Sequence, residues 1–332
     1  AGKTLLTPMA LHHPTHLPQA VDDDSYEDLL SLWSDLESGL AVLLGNPFEV
    51  QEFVLKVQQY DRWMQTLLQQ DTDASLYLLS QLASTSTMGY STSHALVCAA
   101  LCHITAVELA LPASERIHLV YAAMTMNIAM TALQDELALQ KDRPSAEQQA
   151  AIQTHAARGR QMLEQLGVRD MLWLDTVAAH HLDHKVSGTD LRQLPPATRL
   201  AHMLRTVDRY AALISPRQSR PGGSASESAK TITAARDEVS QALVQVVGLT
   251  PPGTFVRLDT GDIAVVLRRR ETDNQPLVAT VMDAHGDPIT PPRLQLARST
   301  GPRIKAGLAR SAVPLDLDHR TMVRLGIFAA MK

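Results

Sequence analysis

The stretch Leu172-Trp-Leu-Asp-Thr-Val-Ala-Ala-His-His-Leu-Asp-His-Lys-Val-Ser-Gly-Thr-Asp-Leu191 ends an apolar helical pattern with two adjacent histidines. Its periodicity predicts a helix over 170–181. Imidazoles at the end of an apolar helix are costly to bury unless a metal or a hydrogen bond satisfies them. Gly188 and the pair Pro195-Pro196 predict that a loop follows, and loops often carry the functional residues of a scaffold. The pair His180-His181 is therefore the first candidate site.

The composition favours a globular, mainly helical protein. The 332 residues are 45% hydrophobic, 20% charged and only 4% aromatic. Leucine and alanine dominate, which favours the packing of helix on helix over a β-sandwich. The net charge of −5 comes without a long basic run, so we expect no nucleic-acid partner.

The patterning divides the chain into four parts. We expect a flexible leader at 1–21, an N-terminal helical region at 22–88, a helical domain at 89–250 and a small β-rich module at 251–332. The last boundary rests on a change from a helical period to a period of two after Pro251. The predicted fold is mainly α, a helical bundle with a helical lead-in and a small C-terminal β module.

Five segments yield more specific expectations. A second helix should begin at Asn46-Pro47, where Glu49 would complete a capping box. One continuous helix should span Glu115–Gln140. The residues Pro, Gly, Ser and Arg that enrich Ser215–Ser226 predict a flexible loop there. The β module should have three or four strands, while 291–332 carries mixed signals apart from a possible closing helix at 319–331.

The two cysteines, Cys98 and Cys102, lie four residues apart on a predicted helix. That spacing suits reduced core residues and provides no disulfide framework. The chain shows no signal-peptide pattern, and no uninterrupted apolar run reaches the length of a membrane span. We therefore expect a cytoplasmic protein with no membrane partner.

A set of histidines and one aspartate recurs inside apolar helical patterns. Its members are His94, His155, His180, His181 and Asp208. Imidazole and carboxylate are the usual ligands of iron, zinc and manganese. From spacing alone, two interpretations remain open: metal ligands, or core residues satisfied by hydrogen bonds.

The order and context of these residues resemble the HD-GYP branch of the HD phosphohydrolase superfamily over about residues 90–250. The resemblance is carried by Ser93-His94-Ala-Leu-Val, Ile152-Gln-Thr-His155-Ala-Ala-Arg-Gly159, Ala178-Ala-His180-His181 and Arg205-Thr-Val-Asp208-Arg-Tyr-Ala-Ala-Leu. It implies a helical HD domain and a relationship to enzymes that hydrolyse cyclic di-GMP at a centre of two or three metals.

The chain departs from that family at its defining positions. Met126 and Asn127 stand where the family has its His-Asp pair, and Met130 stands where it has a lysine. The Gly-Tyr-Pro signature falls on Gly188-Thr189-Asp190, and Leu182 replaces a glutamate that commonly follows the paired histidines. No catalytic residue can therefore be carried over from these positions.

The departures bear directly on metal binding. In the family the aspartate bridges two metals, whereas a neutral Asn127 cannot offset the repulsion of two dications. Of the first metal's ligands, only His94 and Asp208 remain. His155, His180 and His181 could hold one divalent iron, zinc or manganese ion with an open position. We expect at most one tightly held ion, at these three histidines.

Three hypotheses for the function follow. The first is a catalytically degenerate, HD-GYP-like signalling or regulatory protein that acts through a protein partner or by sensing a nucleotide. The second is a mononuclear metal-dependent phosphohydrolase, of the phosphodiesterase class, and the third is a helical scaffold with hydrogen-bonded histidines. Arg217 and Arg220 follow the Asp208 helix, where guanidinium groups could bind phosphate, although a solvated loop explains them as well.

Overall fold

The computed structural model describes residues 23–85, 89–183, 186, 189–269, 276–297 and 301–330. The predicted leader at 1–21 and Gly188 lie outside the described residues. The described part is mostly helical and ends in a small antiparallel sheet, so the predicted order of helices followed by a β module is confirmed.

The helices occupy most of the described chain and precede the sheet, apart from the last one. They are α1 (Asp23–Gly45), α2 (Phe53–Gln70), α3 (Thr72–Thr85), α4 (Tyr90–Glu108), α5 (Ala113–Thr125), α6 (Thr131–Leu139), α7 (Ala146–Gln165), α8 (Met171–Ala179), α9 (Pro196–Ile214), α10 (Ala225–Thr233), α11 (Glu238–Val247) and α12 (His319–Ala330). Short 3-10 turns span Ile128–Met130, Leu191–Gln193 and Arg310–Ala312.

Helix α4 lies at the centre of the helical part. It packs against α1, α3, α5, α9 and α11, and is buried on nearly all sides along its first three turns. Asp135 of α6 holds the start of this helix, because its carboxylate accepts hydrogen bonds from the Ser91 backbone N–H at 2.6 Å and from the Ser91 hydroxyl at 2.9 Å. This carboxylate satisfies a backbone donor that the first turn of a helix leaves unpaired.

Among the described residues, one helix, Tyr90–Glu108, is long and apolar enough to cross a membrane by those two criteria alone. Within its most apolar window, 78% of the residues are buried inside the protein.

The sheet contains five antiparallel strands, β1 (Phe255–Leu258), β2 (Ile263–Arg268), β3 (Leu277–Met282), β4 (Pro288–Leu296) and β5 (Ile304–Leu308). Their spatial order is β4-β3-β2-β1-β5. The two strands that the sequence did not predict, β4 and β5, are the edges. Edge strands tolerate prolines such as Pro291 and carry weaker alternation, which explains the mixed signals of this segment.

One face of the sheet belongs to the main apolar core. Phe255, Val265 and Ala279 join the cluster that also contains side chains of the helices, whereas the alternate residues Val256 and Val266 form a separate small cluster. This separation follows from the period of two along a strand. Helices and sheet share one apolar core, so this core does not divide the chain near residue 250. The domain boundary expected there stays a prediction.

Two predictions about the helices are wrong. The helix expected over Glu115–Gln140 is interrupted between Thr125 and Thr131 by the 3-10 turn. The Thr125 hydroxyl donates back to the Tyr121 carbonyl at 2.7 Å, a contact that bends helices. The second helix begins only at Phe53, because Glu52 adopts a left-handed backbone conformation with φ of 53°.

The remaining predicted elements agree in part. The closing helix at 319–331 is confirmed by α12. The loop predicted over Ser215–Ser226 is shorter, since α10 begins at Ala225. Its backbone folds against the bundle, where Gln218 N–H donates to the Ala138 carbonyl at 2.8 Å.

Candidate metal centre

Three imidazoles converge between α7 and the end of α8. His155 lies within α7, while His180 and His181 directly follow the last residue of α8. The Nε2 atom of His155 lies 3.4 Å from Nε2 of His180 and 3.2 Å from Nε2 of His181. His155 and His180 are buried and His181 is exposed, so the group is open on one side.

The backbone determines which nitrogen carries the proton in two of these rings. His155 Nδ1 lies 2.5 Å from the Ile152 carbonyl oxygen, and His180 Nδ1 lies 2.6 Å from the Val177 carbonyl oxygen. A carbonyl oxygen only accepts, so Nδ1 is the donor in each ring. In the neutral rings, both Nε2 lone pairs therefore point toward the centre of the group, as in imidazoles that bind metals.

Burial also keeps these rings neutral. It lowers the pKa of His180 to about 3 and lowers the pKa of both His155 and His181. The Nε2 lone pairs of His155 and His180 thus face each other with no proton between them near neutral pH. The Nε2 of His181 can donate to only one of them, so a cation is the simplest partner for the whole group.

The spacing of the nitrogens fits a tetrahedral ion. Zinc–nitrogen bonds of about 2.0–2.1 Å at tetrahedral angles put neighbouring nitrogens about 3.3–3.4 Å apart. The two Nε2 separations at His155 are 3.4 Å and 3.2 Å. Three protein ligands would leave a fourth position for water or another ligand.

Side-chain bonds set the position of α8. Arg160 of α7 donates to Asp175 of α8 and to Glu164, 3.1 Å away, within its own helix. On the buried side of α8, the Trp173 indole N–H donates to the Thr125 hydroxyl at 2.9 Å. These contacts hold α8 between α7 and the end of α5, and so hold His180 opposite His155.

A buried ion pair positions the chain that follows the histidine pair. The Arg199 guanidinium donates to both carboxylate oxygens of Glu115, at 2.9 Å and 2.8 Å. Its third nitrogen donates to the carbonyl groups of Leu191, Arg192 and Leu194 at 3.0–3.1 Å. This pair was not predicted from the sequence, although Arg199 stands beside Leu200 within an apolar helix pattern, which is a signal of a buried charge.

His94 and Asp208 meet in a second group. His94 Nε2 lies 2.7 Å from Asp208 Oδ1, and Cys98 Sγ lies 3.6 Å from the same nitrogen. The potential ligand atoms of His94, Cys98 and Asp208 all lie within 4.8 Å of one another. His94 and Asp208 were predicted as candidate ligands from the sequence, whereas Cys98 was predicted to be a core residue.

The electrostatics of this second group differ from those of the first. Burial is the largest single influence and would raise the pKa of Asp208, but the hydrogen bond with His94 and the attraction of the neighbouring imidazoles together outweigh it and lower that pKa to about 2. Burial, reinforced by the Asp208 charge, raises the pKa of the Cys98 thiol well above its usual range. The Asp208 charge also acts to raise the pKa of His155, His180 and His181, against the effect of burial. The same negative charge would favour a cation at these three histidines.

The two candidate arginines take different positions. The Arg217 guanidinium lies 4.6 Å from the centre of the Tyr90 ring and donates to the Tyr90 hydroxyl at 2.7 Å. Tyr90 in turn stacks on His94, with ring centres 5.3 Å apart. Arg220 instead donates to the Ala212 carbonyl of α9. The structure therefore brings Arg217 to the edge of the His94 group, whereas Arg220 is directed back to α9, the helix before its loop.

The positions that depart from the HD-GYP pattern lie at the break between α5 and α6. Met126 is buried, while Asn127 and Met130 are half-buried. A methyl group on Gly159, one turn after His155, would lie 3.6 Å from the Met126 carbonyl oxygen, so this break packs against the His155 helix. Leu182 is exposed beyond the histidine pair.

Comparisons with known proteins were made at the level of family, sequence and structure. No model of a protein family matches the chain, and no curated protein matches it in sequence. Among solved structures, the chain is similar to Bd1817, a HDG"Y"P protein from Bdellovibrio bacteriovorus. The sequence identity is 16% and the TM-score is 0.49, and the match covers 68% of this chain and 74% of that one. At this identity the similarity concerns the fold alone.

Proposed function

We propose that this chain is a catalytically degenerate, HD-GYP-like regulatory module that binds one divalent transition metal at His155, His180 and His181. The observation that carries the proposal is the convergence of three neutral imidazoles, two of which donate Nδ1–H to backbone carbonyls. Iron, zinc and manganese all bind imidazole, and the tetrahedral spacing favours zinc or iron.

Degeneracy follows from what surrounds the three histidines. A phosphodiesterase of this kind needs a nucleophile activated between metals and positive charge on the non-bridging oxygens. Asn127 offers a neutral amide where a bridging carboxylate would be required, and Met130 offers no charge for a phosphate. Met126 is a thioether, a poor ligand for hard or borderline metals.

A bound ion would join helix α7 to the segment that follows α8. The residues that would hold it are His155 from α7 and the pair His180-His181 at the end of α8. When bound, the ion supplies positive charge and Lewis acidity at the open side. Because His181 is exposed there, the state of the site can be read by a protein partner or a nucleotide at the surface.

A mononuclear phosphohydrolase is the second candidate. The exposed side of His181 favours it, because a three-histidine ion with an open position can lower the pKa of a bound water. Its substrate would be a phosphomonoester or a nucleotide that reaches this side. Hydrolysis assays of phosphomonoesters and nucleotides with added zinc, iron or manganese separate the two candidates. The phosphohydrolase should turn over a substrate and lose that activity in His180→Gln, whereas the degenerate module should show no turnover in either protein.

Thermal unfolding with and without zinc tests the proposed site itself. An ion that binds only the folded state at a hundred times its dissociation constant stabilises it by about 2.7 kcal/mol. We expect zinc to raise the Tm of the unmodified protein and to lose most of this effect in His180→Gln. His103→Gln is the matched control, because His103 is a half-buried histidine of α4 outside both groups. An equal zinc effect in all three proteins would contradict the proposal.

A further inference from the structure

An apolar cavity lies where the helical bundle meets the sheet. Its volume is about 90 Å³. Six buried residues from α3, α4, α11 and β1 form its inner wall: Leu76, Leu79, Val97, Leu101, Val247 and Phe255. The described residues that line it include no member of the three-histidine group or of the His94 group. The cavity is therefore separate from the candidate metal centre.

The cavity reaches the surface beside the ends of α9 and β5. Ile214 and Pro216 line it at the first, and Leu308 and Arg310 line it at the second. These four residues are half-buried, unlike the residues of the inner wall. An apolar interior of this kind does not hold ordered water readily, whereas the mouth carries the positive charge of Arg310.

The charge of Arg310 is only weakly paired. Its guanidinium donates to the carbonyl groups of Val313 at 2.7 Å and Leu315 at 3.0 Å, and lies 5.2 Å from the centre of the Phe255 ring. Among the described residues its ion pair is with the exposed Asp316, whose oxygen lies 3.9 Å away, beyond hydrogen-bond distance. In the same part of the chain its Nε has no hydrogen-bond partner. A guanidinium has five N–H donors, so this group retains donors and charge for an anion.

One wall of the cavity is fixed before any ligand binds. Residues 251–255, which lead into the sheet, form this wall. The Gly253 N–H donates to the Val266 carbonyl at 2.8 Å, and Gln81 Nε2 donates to the Gly253 carbonyl at 3.2 Å. Gly253 has a φ of 87° and packs closely on α3, where a methyl group would lie 2.6 Å from Ser80 Cβ. A preformed wall lowers the cost of ordering the site when a ligand binds.

The volume limits the size of the ligand. A water-sized group needs about 10–15 Å³ of such a volume, so about 90 Å³ holds roughly six to nine non-hydrogen atoms. A nucleotide is too large for this space. An apolar body of this size, with one negatively charged group at the mouth, matches both the inner wall and Arg310.

We propose that the cavity binds a small apolar monocarboxylate, with its hydrocarbon body against the inner wall and its carboxylate on Arg310. Guanidinium and carboxylate match in geometry as well as in charge. This inference goes beyond the proposed function, because none of the residues that carry it belongs to the candidate metal centre. A ligand placed here contacts α4 and β1 at once and so links the sheet to the central helix of the bundle.

Isothermal titration calorimetry with octanoate tests the chemistry of the ligand. The unmodified protein should bind one octanoate per chain. The alcohol 1-octanol should bind at least about tenfold more weakly, because it fills the cavity but lacks the charge for Arg310. Acetate, which has the charge but no hydrocarbon body, should show no binding. Equal affinities for octanoate and 1-octanol would overturn the role of the arginine, and absence of octanoate binding would overturn the site.

Treatment with a chelator separates this inference from the proposed function. A carboxylate held by an ion at the three histidines would be lost together with the ion. Octanoate should therefore bind equally before and after chelation. Loss of octanoate binding on chelation would overturn the cavity site, while leaving the metal site intact as a proposal.

Two pairs of variants place the ligand in the cavity. Leu308→Trp fills the mouth and should weaken octanoate binding by at least about tenfold, whereas Leu294→Trp, at a half-buried leucine on the other edge strand, should not. Arg310→Gln should lower the affinity for octanoate to that for 1-octanol. Arg293→Gln, at an exposed arginine of β4, is its matched control and should keep the affinity of the unmodified protein.

Octanoate affinity unchanged in Leu308→Trp would contradict the placement. A measurement on the unmodified protein requires no variant to fold. Nuclear Overhauser contacts between the methylene protons of bound octanoate and the Phe255 ring should be observed, because this ring lies in the inner wall beneath Arg310. Bound octanoate that shows no such contact would equally refute the cavity as its site.

Discussion

The Nε2 atoms of His155 and His180 face each other at 3.4 Å, while the Nδ1 atom of each ring donates to a backbone carbonyl. Two buried, neutral imidazoles arranged this way direct lone pair against lone pair. A structural hydrogen bond would need a proton between the rings, and the backbone has already placed both protons elsewhere. This arrangement favours ligands of a cation over satisfied core histidines, the alternative that the sequence left open.

Cyclic di-GMP should not be hydrolysed at a rate typical of an HD-GYP enzyme. Loss of one preorganised charge typically costs about 3 kcal/mol in the transition state, or roughly a hundredfold in rate. Met126→His with Asn127→Asp should raise the metal content first and hydrolysis second. Chromatographic assay of the linear product, with manganese or iron added, measures both proteins side by side.

Changing Met130 alone, and then together with Met126 and Asn127, provides a control for that experiment. Met130→Lys should accelerate hydrolysis only when Met126 and Asn127 have also been changed, because without the metals no bound phosphate is available for the lysine. Robust metal-dependent hydrolysis by the unmodified protein, abolished by His180→Ala, would falsify the proposed degeneracy.

Arg199→Ala should destabilise the fold by about 3–5 kcal/mol, because it leaves the buried Glu115 carboxylate without its partner. It also removes the donor that holds the carbonyl groups of Leu191, Arg192 and Leu194. Urea unfolding followed by circular dichroism measures the free energy of unfolding. Arg192→Ala, an exposed change in the same loop, should stay within about 0.5 kcal/mol of the unmodified protein. Similar losses in both variants would contradict the role given to the buried pair.

Asp61→Asn should stabilise the protein above pH 6 and have little effect below pH 4. Burial raises the pKa of Asp61 from its ordinary 3.8 to about 6. Between these values the folded chain keeps a proton that the unfolded chain has lost, so the free energy of unfolding falls as the pH rises. The difference should reach roughly 3 kcal/mol or less at neutral pH.

Asparagine retains the oxygen that accepts from Gln65 Nε2 at 2.7 Å, so the change removes mainly the ionisation of Asp61. The measurement is urea unfolding of both proteins across this pH range. Asp35→Asn, on the exposed side of α1, is the control and should track the unmodified protein at each pH. A constant difference between Asp61→Asn and the unmodified protein at all pH values would show that burial does not control this titration.

The sequence predicted much of the architecture because local signals carried it. Ser145 and Gln148 form a capping box at the start of α7, a local pattern that the sequence displays, and the change of period after Pro251 marks the β module. The break after Thr125 escaped prediction because it depends on a hydroxyl shared with Trp173, which lies far away in sequence. The edge strands escaped because their prolines and exposed residues dilute the alternation of a strand.

The candidate site was predictable in part for the same reason. Histidines within apolar helix patterns are visible in one sequence, and the structure brings His155, His180 and His181 together. The sequence did not show that Cys98 lies close to Asp208, because the two residues belong to separate helices, α4 and α9. Helical spacing places Tyr90 and His94 one turn apart on α4, but it could not reveal that Arg217, from the loop after α9, lies over the Tyr90 ring.

The metal content of the purified protein tests the central claim most directly. Elemental mass spectrometry of the unmodified protein, isolated without chelator, should find about one zinc, iron or manganese ion per chain, consistent with a three-histidine site. His155→Gln and His180→Gln should each lose this ion, whereas His103→Gln should retain it. A metal-free unmodified protein that also fails to take up any of these ions when they are supplied would contradict the claim, as would full metal content in both ligand variants.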